Sequence, residues 1–385
     1  MLLAIAATAA LLAFEPARAD PSLSTAGDAS SADAALDRAL KKFVAMDGGP
    51  LGVIAMVQRG DELKAHSFGV AKAGDDHPPG ADMHMRIASV AKAFSGAAAL
   101  SLVDQGTLGL DDRIGKHLPD LPAAWADVTL RQLLGHTSGL PDFSQTEKFR
   151  TALRKSLLKA ARPPELLDFI KRKVPTFTPG SQYRYSNTDN VIVALMARAA
   201  ISGSYNRALK EQVYDPLELT ETSLPRGAEM PRRFIRGYDN DPSQTPPEDV
   251  SELVAAGWAW ASGGVVSTPA ELNRFIRGYV GGKLFGAQVQ AQQREVIVGA
   301  HSEPPGPGIN SAGLAIFRYE TKCGTVWGHT GNTLGYTQFA AATENGRRSV
   351  TVSINSQITP SAGAPGVFKA LRNAEELAVC AALAR

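Results

Sequence analysis

Apolar residues recur at helical spacing over Ala32–Met46 (Ala35, Leu36, Ala39, Leu40, Phe43, Val44), and Asp47-Gly48-Gly49-Pro50 follows as a stop. The spacing predicts an amphipathic helix. Two strand-like runs come next, Leu51–Gln58 and Leu63–Val70, joined around Arg59-Gly60-Asp61 as a hairpin. Met85, Arg86 and Ile87 read as extended chain leading into an Ala-, Leu- and Phe-rich helix that runs to Leu102, with Ser89 in its first turn. From there to about Trp258 the pattern is helical and loop-like. It holds a turn-rich segment at Leu108–Leu118 and short helices at Thr129–Leu134, Pro164–Lys173 and Leu209–Leu219. An apolar helix over Val191–Ile201 takes Asn187 or Thr188 as its cap. Pro242–Pro247 is a cluster of breakers. A helix is predicted over Pro269–Val280, capped by Ser267 or Thr268 with proline in its first turn. Strand-like runs return at Gly313–Tyr319, Thr325–Trp327, Tyr336–Ala342 and Ser349–Asn355, the last two joined by Asn345-Gly346. Val367–Leu383 closes the chain as a helix.

Strands therefore lie at both ends and helices in the middle, with no repeat. The economical architecture is an α and β fold. One antiparallel sheet is built from both ends of the chain and covered by the first and last helices. A mostly helical lobe faces it across a cleft, a common place for a site. The boundaries are 32–84 and 262–385 for the α/β lobe and 85–261 for the helical lobe. Residues 1–19 are apolar and end in Ala17-Arg18-Ala19, the form of a secretory signal cleaved before Asp20, although no Lys or Arg follows Met1. The apolar run is too short for a membrane anchor. Residues 20–31 read as a loose leader.

Composition narrows the function classes. At 385 residues, 44% hydrophobic and 20% charged, the chain has room for two packed units or one large one. Net charge is +2 with the signs interspersed, so no basic block argues for nucleic acid. The histidines form no H-x-H or H-E-x-x-H cluster, and neither a metal nor another cofactor is implied. Export would permit a disulfide between the only two cysteines, Cys323 and Cys380, stapling the last helix onto a nearby strand. Two buried free thiols are the other reading.

Candidate chemistry centres on Ser89-Val90-Ala91-Lys92. A serine three residues before a lysine shares its helical face, and the helix N-terminus adds positive charge. The amine can take the hydroxyl proton and so activate a poor nucleophile. A second S-x-x-K, Ser156–Lys159, sits in the basic stretch Arg150–Lys159 and reads as a solvated helical face. Two more patches follow: Tyr185-Ser186-Asn187, between a Pro-Gly turn and a helix, and His329-Thr330-Gly331-Asn332, on a strand edge beside Trp327. Ser-x-x-Lys, Tyr-x-Asn and His-Thr-Gly in that order form a known catalytic motif set.

Through RIASVAKAFS, LLGHTSGL, YRYSNTDN, ASGGVVST and GHTGNTLGY, the chain from roughly Ala32 to its C-terminus resembles the serine β-lactamase and penicillin-binding-protein family. That group includes class C β-lactamases, secreted D-alanyl-D-alanine carboxypeptidase/transpeptidases, D-aminopeptidases and related esterases. The histidine of the third motif and the two cysteines look most like the secreted carboxypeptidase. The resemblance implies a β-lactamase/transpeptidase-like fold and an acyl-enzyme on Ser89. Lys92 would hold or accept the serine proton. Tyr185 would be the general base, its pKa lowered from about 10 by positive charge on Lys92 and His329. Asn187 would bridge Lys92 and the substrate amide. The oxyanion would rest on the backbone N–H groups of Ser89 and Asn332. Thr330 would bind a substrate carboxylate, and Gly331 would let the substrate backbone lie along the strand edge. Trp258 would line the pocket, with a core tryptophan as the competing reading for it and for Trp260; His136 would be structural.

One departure bears on substrate. Where the secreted carboxypeptidase has an arginine that helps hold the terminal carboxylate, this chain has Phe317. Arg318 is its neighbour and points to the opposite face of a regular strand, so only a bulge would bring it in. The expected function is a secreted, penicillin-sensitive D-alanyl-D-alanine carboxypeptidase/transpeptidase without a stable membrane anchor. It would act on a peptide or small-molecule amide or ester, such as a peptidoglycan stem peptide, with β-lactams as inhibitors or substrates. The alternatives are a D-amino-acid amidase, an esterase or a β-lactamase on the same site, or a non-catalytic penicillin-binding sensor.

Overall fold

A computed structural model describes residues 28–239, 244–360 and 366–385. The signal at 1–19, most of the leader and part of the Pro242–Pro247 cluster lie outside the described residues. The leader is shorter than expected. Asp28 accepts a hydrogen bond from the Ser30 N–H, and helix α1 runs over Ala29–Val44. A capping acid of this kind satisfies a donor the helix would leave open.

The hairpin forms as predicted, with β1 at Gly52–Arg59 and β2 at Glu62–Gly69. After β1 and β2 come β3 (Met85–Arg86), β4 (Val266–Ser267), β5 (Ile297–Val298) and β6 (Ile309–Ala312). Four more strands follow: β7 (Phe317–Thr321), β8 (Gly324–Thr333), β9 (Tyr336–Ala342) and β10 (Arg348–Ile354). Eight of these form one antiparallel sheet in the order β2-β1-β10-β9-β8-β7-β6-β5. The first strand thus pairs with the last, and the sheet is built from both ends of the chain. β3 and β4 form a separate pair that ties the chain's exit into the helical region to its return.

The other helices used below are α2 (Ala91–Asp104), α3 (Glu147–Lys155), α4 (Asn187–Ala200), α5 (Pro269–Val280) and α6 (Val367–Leu383). Leu36, Leu40 and Phe43 of α1 and Leu371, Ala378 and Val379 of α6 pack on one face of the sheet, against Val53, Phe339 and Val352. Ile54, Met56 and Ala340 on the other face meet α5 and α2. Alternate residues of each strand thus feed opposite cores, as a period of two requires. Helix α2 is apolar all round and buried along most of its length, the pattern of a helix enclosed by protein on every side.

Several local expectations are corrected. Gly313–Tyr319 is not one strand. β6 ends at Ala312 and β7 starts at Phe317, with a turn between in which Ala315 takes φ +54°. Helix α4 starts at Asn187, ahead of the expected Val191, and Ser186 is its extended N-cap. The segment at Pro164–Lys173 is a 3₁₀ helix over Pro163–Phe169. Ser156–Lys159 is not a helical face, because α3 ends at Lys155 and the Ser156 hydroxyl bonds the Lys159 carbonyl in a turn.

The two cysteines are joined, Cys323 to Cys380. The bridge clamps the β7–β8 turn to α6 and closes a loop of sequence separation 57. The double Ser variant at 323 and 380 is expected to lose about 2–4 kcal/mol of stability. Its turnover should hold at permissive temperature, since the bridge is at the opposite end of β8 from Gly331. Thermal melts beside activity assays check this, and an unchanged Tm would contradict it.

Candidate active site

Ser89 sits in a 3₁₀ turn, Ala88–Val90, that runs into α2. The turn carries strain, for Ala88 adopts φ +48°, a left-handed conformation that side chains disfavour. Ser89 is half-buried at the head of α2, and Lys92 is fully buried one turn further on.

The Lys92 ammonium nitrogen touches three groups: Ser89 Oγ at 3.1 Å, Asn187 Oδ1 at 2.7 Å and the Ser262 carbonyl at 2.7 Å. The last two can only accept. The orientation of Asn187 is fixed because its Nδ2 donates to Asp142 Oδ2 at 3.0 Å and to Ser144 Oγ at 3.1 Å. Burial pushes Lys92 down to about 7, against the opposing pull of Asp142, Glu303 and Asp189. A neutral amine has two N–H donors and one lone pair. With both donors held by carbonyl oxygens, the lone pair is left for the Ser89 hydroxyl.

Tyr185 lies under the same amine, its ring centroid 4.9 Å from Lys92 Nζ. Its hydroxyl is buried and makes no regular hydrogen bond among the described residues. Burial drives its pKa well above the ordinary phenol value, with the Ser89 hydroxyl as the opposing influence. His329 does not supply the expected positive charge, because burial takes it down to about 3 and the ring is neutral near pH 7. Its Nδ1 is 2.5 Å from the Thr330 carbonyl, and its ring packs edge-on against Phe317.

β8 shapes the far wall. Its pairing with β7 ends at Phe317–Gly328, while pairing with β9 continues to Thr333. Residues 329–333 thus have no β7 partner along one edge. Gly331 lies against the Ser89 turn. A Cβ there would stand 2.4 Å from the Ile87 carbonyl and 3.2 Å from Ser89 N. The missing side chain makes room for this turn, a role different from the expected one of seating substrate backbone. Thr330 points the other way, as alternation along a strand demands. Its buried hydroxyl bonds Ser302 Oγ at 2.6 Å and the Pro304 carbonyl at 2.7 Å, so it is committed to the protein and not offered to a substrate carboxylate. Arg318 stays outside, since β7 and β8 pair without a bulge and its guanidinium meets Glu320 at 2.8 Å. Asn332 lines the cavity, with Nδ2 tied to Thr337 Oγ1 at 3.0 Å and the Ile358 carbonyl at 2.6 Å.

A cavity of about 240 Å³ opens beside Ser89, lined on its apolar side by Phe149, Leu153, Val254, Trp258 and Leu334. The Trp258 indole donates to the Ser156 carbonyl at 2.9 Å and stacks edge-on with Phe149. Ser156, of the second S-x-x-K, therefore helps hold a pocket wall. Trp260 packs on Tyr205 in the core. His136 is buried, 3.0 Å from Asp189 and 4.6 Å between ring centroids from Tyr185. Burial takes the imidazole down to about 3 and pushes the Asp189 carboxyl well above the usual carboxylate range, and this pair supports the Tyr185 segment from beneath.

Two residues were missed from sequence. Asp142 orients Asn187, also accepting its backbone N–H at 3.0 Å; the signal was an acid directly after the Pro that ends HTSGLP. Arg86 lines the cavity, buried, and donates to the carbonyls of Ser251 and Ala228. It was passed over as part of a strand-like lead-in.

A serine with an adjacent depressed lysine, an amide clamp and an open strand edge is the arrangement of an active-site-serine acyl hydrolase. The chain belongs to the β-lactamase family, whose model matches residues 36–372. It is 28% identical over 238 residues to penicillin-binding protein 4* of Bacillus subtilis, covering 58% of this chain and 51% of that one. It is 26% identical over 256 residues to the D-alanyl-D-alanine-carboxypeptidase/endopeptidase AmpH of Escherichia coli, covering 65% and 63%. The chain thus spans between half and two thirds of these curated relatives. Among solved structures, the D-amino acid amidase of Ochrobactrum anthropi superposes with a TM-score of 0.76 at 25% identity, covering 90% of this chain and 98% of that one. Among the described residues no helix is long and apolar enough to cross a membrane.

Proposed function

We propose that the protein is an exported serine hydrolase that cleaves amides or esters through an acyl-enzyme on Ser89. The observation that carries this is the Lys92 amine, held by two acceptor-only oxygens with its lone pair left for the Ser89 hydroxyl. Ser89 Oγ attacks the carbonyl carbon as its proton passes to Lys92 Nζ. Backbone N–H groups of Ser89 and Asn332 hold the oxyanion. The tetrahedral intermediate collapses, the C–N or C–O bond breaks, and the leaving group takes up a proton. Tyr185, a neutral phenol here, is a donor for that step and passes its own proton on while regaining one from Lys92. Water then attacks the Ser89 ester and releases the acid.

The substrate reading favours a D-amino-acid amidase or esterase over a carboxypeptidase. Phe317 stands where an arginine was sought, Arg318 is paired with Glu320, and the Thr330 hydroxyl is occupied within the protein. The likeness to a D-amino acid amidase over nearly the whole chain agrees. The relatives named as a penicillin-binding protein and a D-alanyl-D-alanine carboxypeptidase keep a cell-wall peptidase as the second reading.

Intact-mass measurement after exposure to a β-lactam or an activated ester is expected to show an adduct on wild type and none on Ser89→Ala. Turnover of the variant should fall by about 10⁴–10⁶-fold. A panel of D-aminoacyl amides, short esters and a peptide ending in D-Ala-D-Ala then separates the readings. An adduct that persists in Ser89→Ala would remove Ser89 as the nucleophile.

A further inference from the structure

Among the described residues that line the cavity beside Ser89, one side chain is charged, that of Arg86, and none is a carboxylate. The rest of the wall is apolar or neutral. The leaving group collects its proton from Tyr185, and Tyr185 does not line this cavity. The cavity therefore holds the other substituent of the scissile carbonyl, the part of the substrate that stays on Ser89 as the acyl group.

Arg86 is fixed from several directions. It pairs with Val266 across β3 and β4, and its carbonyl accepts from Gln338 Nε2 at 3.1 Å. The residue is 8% exposed. Its Nε donates to the Ser251 carbonyl at 3.1 Å and its Nη2 to the Ala228 carbonyl at 2.7 Å. A guanidinium has five N–H donors, so more than half are left over. Nη1 has no hydrogen-bond partner among the described residues, yet it is not one of the polar atoms sealed from solvent in the core. The cavity that Arg86 lines is the space these donors face.

No carboxylate answers the charge. Burial works against it, with Tyr336 and Glu252 as the opposing influences. Glu252 is exposed and spends one carboxylate oxygen on the Met230 N–H at 2.8 Å. Asp249 is taken up by Ser251 and Arg236, and the Arg236 guanidinium lies over the Phe234 ring. A buried charge is costly unless it is paired and hydrogen-bonded. Two carbonyl dipoles meet part of that need. Holding two carbonyls asks only for a pair of donors, whereas a planar fork with donors to spare matches a carboxylate.

We propose that Arg86 makes the acyl side of the cleft a carboxylate-binding subsite, so that the favoured substrate is a half-amide or half-ester of a dicarboxylic acid. The proposal rests on Ser89 being the acylated nucleophile and names the acyl class for that site. The apolar wall of Phe149, Leu153 and Trp258 takes the stem of the acyl group, and the guanidinium takes the free carboxylate at its end. The chemistry at Ser89 is unchanged, and the acid released carries two carboxylates. Arg86 precedes Ser89 by three residues, so their Cα atoms are at most about 11 Å apart, a span that a short aliphatic chain covers.

The test uses mono-4-nitrophenyl esters of adipic, pimelic and suberic acids. Each is paired with the ester whose far carboxylate is replaced by a primary carboxamide, which has the same shape and no charge. The ratio of kcat/KM, carboxylate over carboxamide, is read at each length after correction for spontaneous hydrolysis. In wild type the ratio is expected to reach about tenfold at the best length, the scale of a hydrogen bond to a charged group, and to shrink as salt is raised. In Arg86→Gln, which keeps a donor for the two carbonyls, it is expected to fall to about one or below. Because each ratio is taken on one protein sample, a loss of folded protein cancels, and the wild-type ratios decide the matter if the variant does not fold. Turnover with a ratio of one or less at every length overturns the subsite and leaves the hydrolase standing. A preference for the carboxylate that persists in R86Q overturns Arg86 as its source. Failure of all the esters to acylate Ser89 overturns the hydrolase reading and this one with it.

Discussion

Lys92→Met is expected to slow acylation of Ser89 by about 10²–10⁴-fold, the range removed with a positioned general base. Methionine keeps the apolar stem of the lysine and removes the lone pair, so the loss reads proton transfer more than packing. The wild-type rate should carry an acid limb centred near the depressed Lys92 value of about 7. The sign follows from which form reacts. Only the neutral amine accepts the serine proton, and its fraction grows as pH rises through that value. Tyr185 is driven in the opposite direction and contributes no limb in the same range. Stopped-flow acylation between pH 5 and 9 checks this, and a limb that survives in Lys92→Met would assign it elsewhere. The same burial bears on stability. The amine's ordinary value is 10.5 and its folded value is about 7. Between them the unfolded chain binds more protons, so stability rises with pH through that window and is flat below it.

Gly331→Ala should separate geometry from chemistry. A methyl at this position would lie 2.4 Å from the Ile87 carbonyl and 3.2 Å from both Ala88 Cβ and Ser89 N. Those are backbone and near-backbone atoms of a buried turn, and they cannot swing aside. β8 must move away from Ser89, or the strained Ala88 turn must relax. Either motion spoils the spacing between the nucleophile and the oxyanion N–H groups. We expect kcat/KM to fall by about 10²-fold or more, the scale of a small misplacement of reacting groups. Stability should drop by about 1–3 kcal/mol, as overpacking does. Kinetics compared with thermal unfolding measure both, and a variant that acylates at the wild-type rate would rule out this contact as a determinant of the site.

Much of this arrangement was legible because periodicity and punctuation agreed. Val367–Leu383 and Tyr336–Ala342 stand at their predicted bounds, and Thr268 caps α5 through the Glu271 N–H as its sequence proposed. The pattern failed where tertiary contacts set the boundary. Gly313–Phe317 is apolar throughout, and such a run does not show where a turn falls. The turn exists because the Ala315 N–H reaches the Leu134 carbonyl in a distant helix. Helix α4 opens with Asn187, Thr188, Asp189 and Asn190, and no hydropathy pattern announces that the last three of these polar residues are buried. The short motifs singled out Ser89, Lys92, Tyr185, Asn187 and His329, and the structure brings these five side chains together. They misjudged the Thr330 hydroxyl and the charge on His329, because both depend on what surrounds them: a loop 26 to 28 residues upstream in one case and complete burial in the other.

The pairing of β1 with β10 has a consequence in time. A chain leaving the ribosome carries Ser89 and Lys92 well before the strand that abuts Ser89 through Gly331 and the strand that completes the sheet. Long-range pairings of this kind are the slow part of folding. An unfinished chain has a serine and a lysine on a helix and no strand to set them against. A truncated product that loses β8 onward lacks the strand that abuts the Ser89 turn and is expected to be unstable.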